Sequence, residues 1–408
     1  MAEPGSLPSP LPSPAPEGAP RGFWPLAAAG GLVVALALAA AHYLEIHGHV
    51  ATGMGNEVVW GLPHVFAIFL IVAASGALNV ASVGSVFGEA AYKPRAPLSA
   101  LLALALLMGG LVVLVLDLGR PERLVVAATH YNFRSIFAWN MILYNGFIAI
   151  VAVYAWTNLE RRLLPLSKPL GLAAFVWRIV LTTGTGSIFG FLVARPGYAS
   201  GVIAPLFIAM SLAWGTAVFL LVQEALGRWH GTSVPAAFRD RLRRLLGVFV
   251  AAVAYLTAVY HATNLYWAKQ AAFERFILVD GAPYAFLFWA GYALVGTAVP
   301  LVILFHPRFG GVRGTMVAAC AVIVGAFAQL YVFIIGGQAF PLEIFPGYAA
   351  TSNFRDGAVA PYSPTLAEVL LGLGGVGLAY LIALVGVRLF EFAPPAAEAA
   401  GKPAPGAD

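Results

Sequence analysis

Apolar residues fill this chain in long blocks, broken by short segments that hold most of its charge. Crossing a hydrocarbon core of about 30 Å takes about 20 helical residues. Ten blocks have that character, near 24–44, 58–82, 97–117, 133–156, 170–193, 201–222, 245–267, 282–304, 312–335 and 366–387. Backbone groups in hydrocarbon must bond within their own segment, and no stretch alternates with the period of two that a barrel strand requires. The pattern predicts an all-α integral membrane protein with ten transmembrane helices. Residues 1–22 and 393–408 are rich in Pro, Ala and Gly and read as disordered tails around a transmembrane domain at 23–392. The first tail lacks the basic and apolar regions of a secretory signal.

Orientation follows from Lys and Arg, which gather on the cytoplasmic side. With a cytoplasmic N-terminus, fifteen basic residues fall on that side and seven on the other, and Arg178 is set aside within a helix. Both termini are therefore expected in the cytoplasm. Helices two to five and six to nine then each begin from the outer side. The expected architecture is two four-helix bundles of the same sense, flanked by the first and tenth helices.

Composition narrows the class. The chain is 60% hydrophobic and 10% charged, which excludes a soluble globular protein. Its net charge of +5 sits in short Arg runs between apolar spans, so it is no footprint for nucleic acid. A lone cysteine, Cys320, can build neither an internal disulfide nor a thiolate-held iron–sulfur cluster. Electron chemistry here would need an organic cofactor, a haem held by histidines, or clusters on another subunit.

Against this apolar background, the stretch from Leu116 to Asn145 stands apart. Six ionisable groups (Asp117, Arg120, Glu122, Arg123, His130 and Arg134) fall between positions 117 and 134. Polar groups at a membrane boundary must be solvated, paired or functional, because burial unpaired costs several kcal/mol. Other polar groups are expected at the same outer depth. Read as one helix, the second span puts Glu57, Trp60 and His64 on one face, with His64 about 10 Å below Glu57. The fourth span carries Asn140 and Tyr144, and the seventh carries Thr257, His261 and Asn264. Plainer readings stand beside this one. A lone His can bond a neighbouring helix, Asp117 and Arg120 can form an interfacial ion pair, and the glycines at 182–190 and 372–377 suit close packing.

LDLGRPER, followed by NFRS, resembles the NrfD/PsrC family of quinone-interacting membrane subunits, as does the helix EVVWGLPHVFAIFLIVAASGALN. The segments GGQAFPLEIFPGYAATSNFRDG and YSPTLAEVLLGLGGVGLAYLIALVG are similar to the DsrP-type, ten-helix branch found in sulfur-metabolism complexes. The resemblance covers roughly residues 55 to 390. It implies a subunit of the bacterial inner membrane, without a redox centre of its own and not catalytic alone. Such a subunit binds menaquinol or ubiquinol near the outer face and exchanges electrons with a periplasmic, ferredoxin-like iron–sulfur (DsrO-type) partner. A multihaem cytochrome c and a membrane cytochrome b with a heterodisulfide-reductase-like subunit are the further partners implied.

On that reading Asp117 or Glu57 accepts protons, and His64, Asn140 and Tyr144 bond the ring oxygens, with Trp60 and His261 beside them. Arg120, Glu122 and Arg134 form ion pairs or dock a partner, and no metal or intrinsic haem is expected. Two other classes compete. His64 and His261 as axial ligands would make a haem-b cytochrome, and broken helices at the bilayer midplane would mark a secondary transporter.

Overall fold

The computed structural model describes residues 22–342 and 357–390; the tails, apart from Gly22, and positions 343–356 lie outside the described residues. Ten of its helices are long and apolar enough to cross a membrane: α1 (Phe23–His47), α2 (Leu62–Ser85), α3 (Ala90–Leu116), α4 (Ile136–Thr157), α5 (Arg162–Gly190), α6 (Ile203–Trp229), α7 (Ala236–Tyr266), α8 (Ala282–Phe305), α9 (Val312–Ala339) and α10 (Leu366–Leu389). Side chains that a soluble protein would bury stay exposed on their outer faces, among them Leu38, Val153, Tyr255, Leu294 and Val324. Lipid is as apolar as these side chains, so their exposure carries no penalty in a bilayer. The protein is all-α and multi-pass.

Within the fold, α2 packs on α3, α3 on α4, α4 on α5, and α5 returns to α2. The later helices repeat the pattern, with α6 on α7, α7 on α8, α8 on α9, and α9 back on α6. The two sets meet mainly where α2 crosses α6. A Cβ on Gly76 would lie 1.5 Å from the Ser211 carbonyl oxygen, and one on Gly215 would lie 2.2 Å from the Ala77 nitrogen. Only glycine permits so close a backbone approach, and without a hydrophobic force between helices in lipid such contact supplies the attraction. α10 lies along α3 and α2, and α1 packs on α10. The glycines of α10 are its packing surface, with Phe66 of α2 against Gly372, Ala37 of α1 against Gly374 and Val113 of α3 against Gly375.

Two helix ends depart from the hydropathy pattern. α7 starts at Ala236, well before its apolar block, so the arginines of RDRLRR lie on a helix. They are held at one end of the bundle, where Arg239 Nε donates to Glu224 at 2.6 Å, Arg241 Nη1 donates to Glu89 at 3.0 Å, and Arg243 donates to the Leu304 carbonyl. α2 starts at Leu62 rather than near 58. Pro63 sits in its first turn, where a missing N–H costs nothing, and it disfavours helix for the residues before it. Glu57 and Trp60 consequently precede the helix, and the shared helical face expected of Glu57, Trp60 and His64 does not exist.

Candidate functional site

At the end of the bundle opposite those arginines, the segments around residues 49–62, 117, 195, 338 and 362–368 are bonded to one another. Asp117 terminates α3, its N–H donating to the Val113 carbonyl at 2.9 Å. Its carboxylate is 1% exposed and faces the first turn of α2, with Oδ2 2.8 Å from His64 Nδ1. Nε2 of His49, in the turn after α1, lies 3.0 Å from the Asp117 carbonyl oxygen. The His64 contact has the length of a charge-assisted hydrogen bond but lies off its axis. Neither carboxylate oxygen has a well-formed hydrogen bond among the described residues. A buried carboxylate left so incomplete is expensive, and such groups concentrate where a ligand or a proton has to be handled. The His64 side chain is 21% exposed, so this dyad is closed on the Asp117 side and partly open on the other.

Trp60 forms a wall beside the dyad. Its ring stacks on His64 with centroids 6.0 Å apart and also meets Phe137, Phe189 and Tyr198. The backbone under it is clamped by Gln338 of α9, which is buried and uses both ends of its amide. Oε1 accepts from the N–H groups of Val59 and Trp60 at 3.0 Å each, while Nε2 donates to the carbonyls of Trp60 at 3.0 Å and Ile334 at 2.8 Å. Arg195 donates to the Gln338 and Glu57 carbonyls, both at 2.8 Å. Burial lowers its pKa from the usual arginine value.

A second clamp holds the start of α2. Tyr362 OH accepts from the Leu62 N–H and donates to Glu368 Oε1, both at 2.7 Å, and Glu368 also caps α10 through Thr365 and accepts from the Gly53 N–H at 2.9 Å. Burial, and then the bond to the Glu368 carboxylate, push the Tyr362 hydroxyl up, so it keeps the proton that this bond needs. Gly61 is the residue that fits here, since a Cβ would lie 2.6 Å from Glu368 Oε1.

The other expected site residues make contacts of their own. Glu57 engages the cluster through its backbone carbonyl, and its side chain makes no ion pair among the described residues. Asn140 is buried and committed to joining α4 to α5, donating to the carbonyls of Ile136 and Gly184 at 2.9 and 3.0 Å. Tyr144, one turn further on, is buried as well. His261 belongs to a second cluster, its Nδ1 2.6 Å from Glu274 Oε2, with Asn264 donating to the other oxygen at 2.8 Å.

Arg120, Glu122 and Arg134 are exposed and form no ion pair among the described residues. The alternative Asp117–Arg120 pair does not form: the carboxylate turns inward to His64 at the helix end while Arg120 stays at the surface. The short helix Leu124–Thr129 that follows buries nothing and exposes Val125 and Val126. Sequence reasoning missed His49, Arg195, Glu274, Tyr362 and Glu368, which lie outside the helix interiors or on short loops and so fall in no periodic pattern. Among the described residues, no group of three or more His, Cys, Asp and Glu could hold a metal ion.

Three known proteins can be set beside this one. It is 28% identical over 356 residues to the Hdr-like menaquinol oxidoreductase integral membrane subunit of Archaeoglobus fulgidus, an alignment that takes in 86% of this sequence and 89% of that protein. It is 24% identical to a selenate reductase subunit of Mesobacillus selenatarsenatis, across 85% and 89% of the two sequences. A component of the polysulfide reductase of Wolinella succinogenes is 23% identical, and there 70% of this sequence spans 96% of the relative. The family described as "Polysulphide reductase, NrfD" matches residues 50–342, which takes in α2 to α9 and leaves α1 and α10 outside. By that match this multi-pass membrane protein belongs to the NrfD family.

Proposed function

We propose that this protein is the quinone-interacting membrane subunit of a multi-subunit oxidoreductase, with the quinol headgroup at the His64–Asp117 dyad beside Trp60. The observation that carries the reading is the incompletely bonded carboxylate of Asp117, buried against a histidine that is open on its other side. The name of the Archaeoglobus relative, a menaquinol oxidoreductase subunit, supports menaquinol as the substrate class.

Quinol oxidation releases two protons and two electrons. His64 faces Asp117 through Nδ1, which leaves Nε2 to meet a ring hydroxyl. The first proton, accepted at Nε2, can be matched by one passed from Nδ1 to Asp117, so the pair acts as a relay with the carboxylate as its sink, and the second is released to water at the open side of the site. Trp60 offers a flat apolar face for the ring, held in place by Gln338 and Arg195. The electrons leave for a redox centre on a partner, for which a periplasmic iron–sulfur subunit docked over Arg120, Arg123 and Arg134 is the proposed class. On this reading the dyad lies on the outer side of the bacterial inner membrane, and both termini are cytoplasmic.

Oxidation of a quinol analogue by the assembled complex, with quinone binding followed separately, tests the site. His64→Ala removes a ring-oxygen partner and should weaken binding by about 1–3 kcal/mol. If His64→Ala and Asp117→Asn both assemble and keep wild-type turnover and affinity, the headgroup binds elsewhere.

A further inference from the structure

Away from the dyad, an elongated apolar crevice of about 500 Å³ opens among α1, α2, α3, α6, α9 and α10. On α6 its lining runs from Val218 to Trp229 and on α10 from Val376 to Val387, about 16 Å along each helix. The slot therefore follows the helix axes from the middle of the bundle to the end that carries Arg239. It lies at the seam between the helices matched by the family (α2, α3, α6 and α9) and the two outside that match, α1 and α10.

We infer that this crevice holds an acyl chain of an anionic phospholipid whose headgroup is bound by Arg228 and Arg388. Every residue lining the slot is apolar or aromatic, which suits a hydrocarbon tail. Arg228 lies one turn from the lining residue Ala225, and Arg388 one turn from the lining residue Leu384, so helical spacing puts both arginines beside the end of the slot. Arg228 is exposed, Arg388 half-exposed, and neither forms an ion pair among the described residues. Trp229, also in the lining, is a residue type that favours headgroup depth. Basic residues between helix ends recognise lipid phosphates in this way.

A quinone tail is the competing occupant, and the helix geometry disfavours it. Phe69 and Leu70, the α2 residues that line the slot, lie about 140° and 240° round the helix from His64. On α3 the nearest lining residue, Leu106, is eleven positions from Asp117, or about 16 Å along the axis. The slot and the dyad thus open on different sides of α2. This inference does not rest on the quinone reading, since it concerns residues remote from the dyad.

The test is thermal unfolding of the delipidated full-length protein, titrated with phosphatidylglycerol or with phosphatidylcholine of the same acyl composition. A ligand that binds only the folded state raises Tm with its concentration. Phosphatidylglycerol should raise Tm more than phosphatidylcholine, and Arg228→Gln with Arg388→Gln should erase that difference. Ala383→Phe, which fills the slot, should abolish the rise with either lipid while quinol oxidation by the assembled complex persists. Should Ala383→Phe fail to fold, native mass spectrometry of the wild type and the double arginine variant decides: one retained phosphatidylglycerol in the first and none in the second is expected. Equal responses to both lipids in the wild type, or a retained quinone in place of the phospholipid, would overturn the inference.

Discussion

The carboxylate of Asp117 and the imidazole of His64 have separable roles, and kinetics can tell them apart. Asparagine at 117 keeps the shape and hydrogen-bonding capacity of aspartate but takes up no proton at neutral pH. Asp117→Asn should therefore lower turnover by about 10²-fold or more while quinone affinity changes little, the behaviour of a group that acts in the transition state. His64→Ala should instead lose affinity as well as rate. Steady-state and binding measurements on the two variants distinguish these outcomes, and equal losses of affinity would remove the relay from the account. Arg120, one partner that sequence spacing offers Asp117, lies at the surface in a loop, and His64 takes its place.

At the scale of elements, the segment 57–61 shows why the site is only partly legible in sequence. Its apolar and aromatic residues extend the block of α2, and hydropathy cannot separate helix from a clamped loop. The clamp is non-local: Gln338 reaches Val59 and Trp60 from nearly three hundred residues away, and Glu368 reaches Gly53 from further still. The ten spans were readable because each must be long and apolar, and Asp117 and His64 because ionisable groups are rare in such spans. The capping tyrosine and glutamine are ordinary residues in their local context, and only the fold shows their use. Gln338→Glu tests the clamp. It retains the acceptor for the two N–H groups but loses the donor to the Trp60 and Ile334 carbonyls. Unfolding should shift by about 1–3 kcal/mol for the orphaned buried groups, with weaker quinone binding. Gln338→Leu should be worse on both measures. Unchanged binding in both variants would mean that Trp60 does not need to be held.

Across the whole molecule, electron transfer to a periplasmic partner requires the dyad to face the outer side of the membrane. Ser233 is exposed at the end of the bundle opposite His64, in the turn between α6 and α7. With Cys320 replaced, a Ser233→Cys variant should resist an impermeant maleimide in intact cells and react once the membrane is opened. Ready labelling in intact cells would put the dyad on the cytoplasmic side, and a periplasmic electron acceptor could not be reached. The quinone headgroup itself is expected against His64 Nε2 and Trp60, with Asp117 behind the imidazole. Photo-crosslinking of the purified full-length protein with an azido-quinone, followed by peptide mapping, tests this placement most directly. Label is expected in the segments around Val58–His64 and Asp117–Phe137, suppressed by excess unlabelled menaquinone. Competable label confined to α7 and α8, around His261, would contradict it.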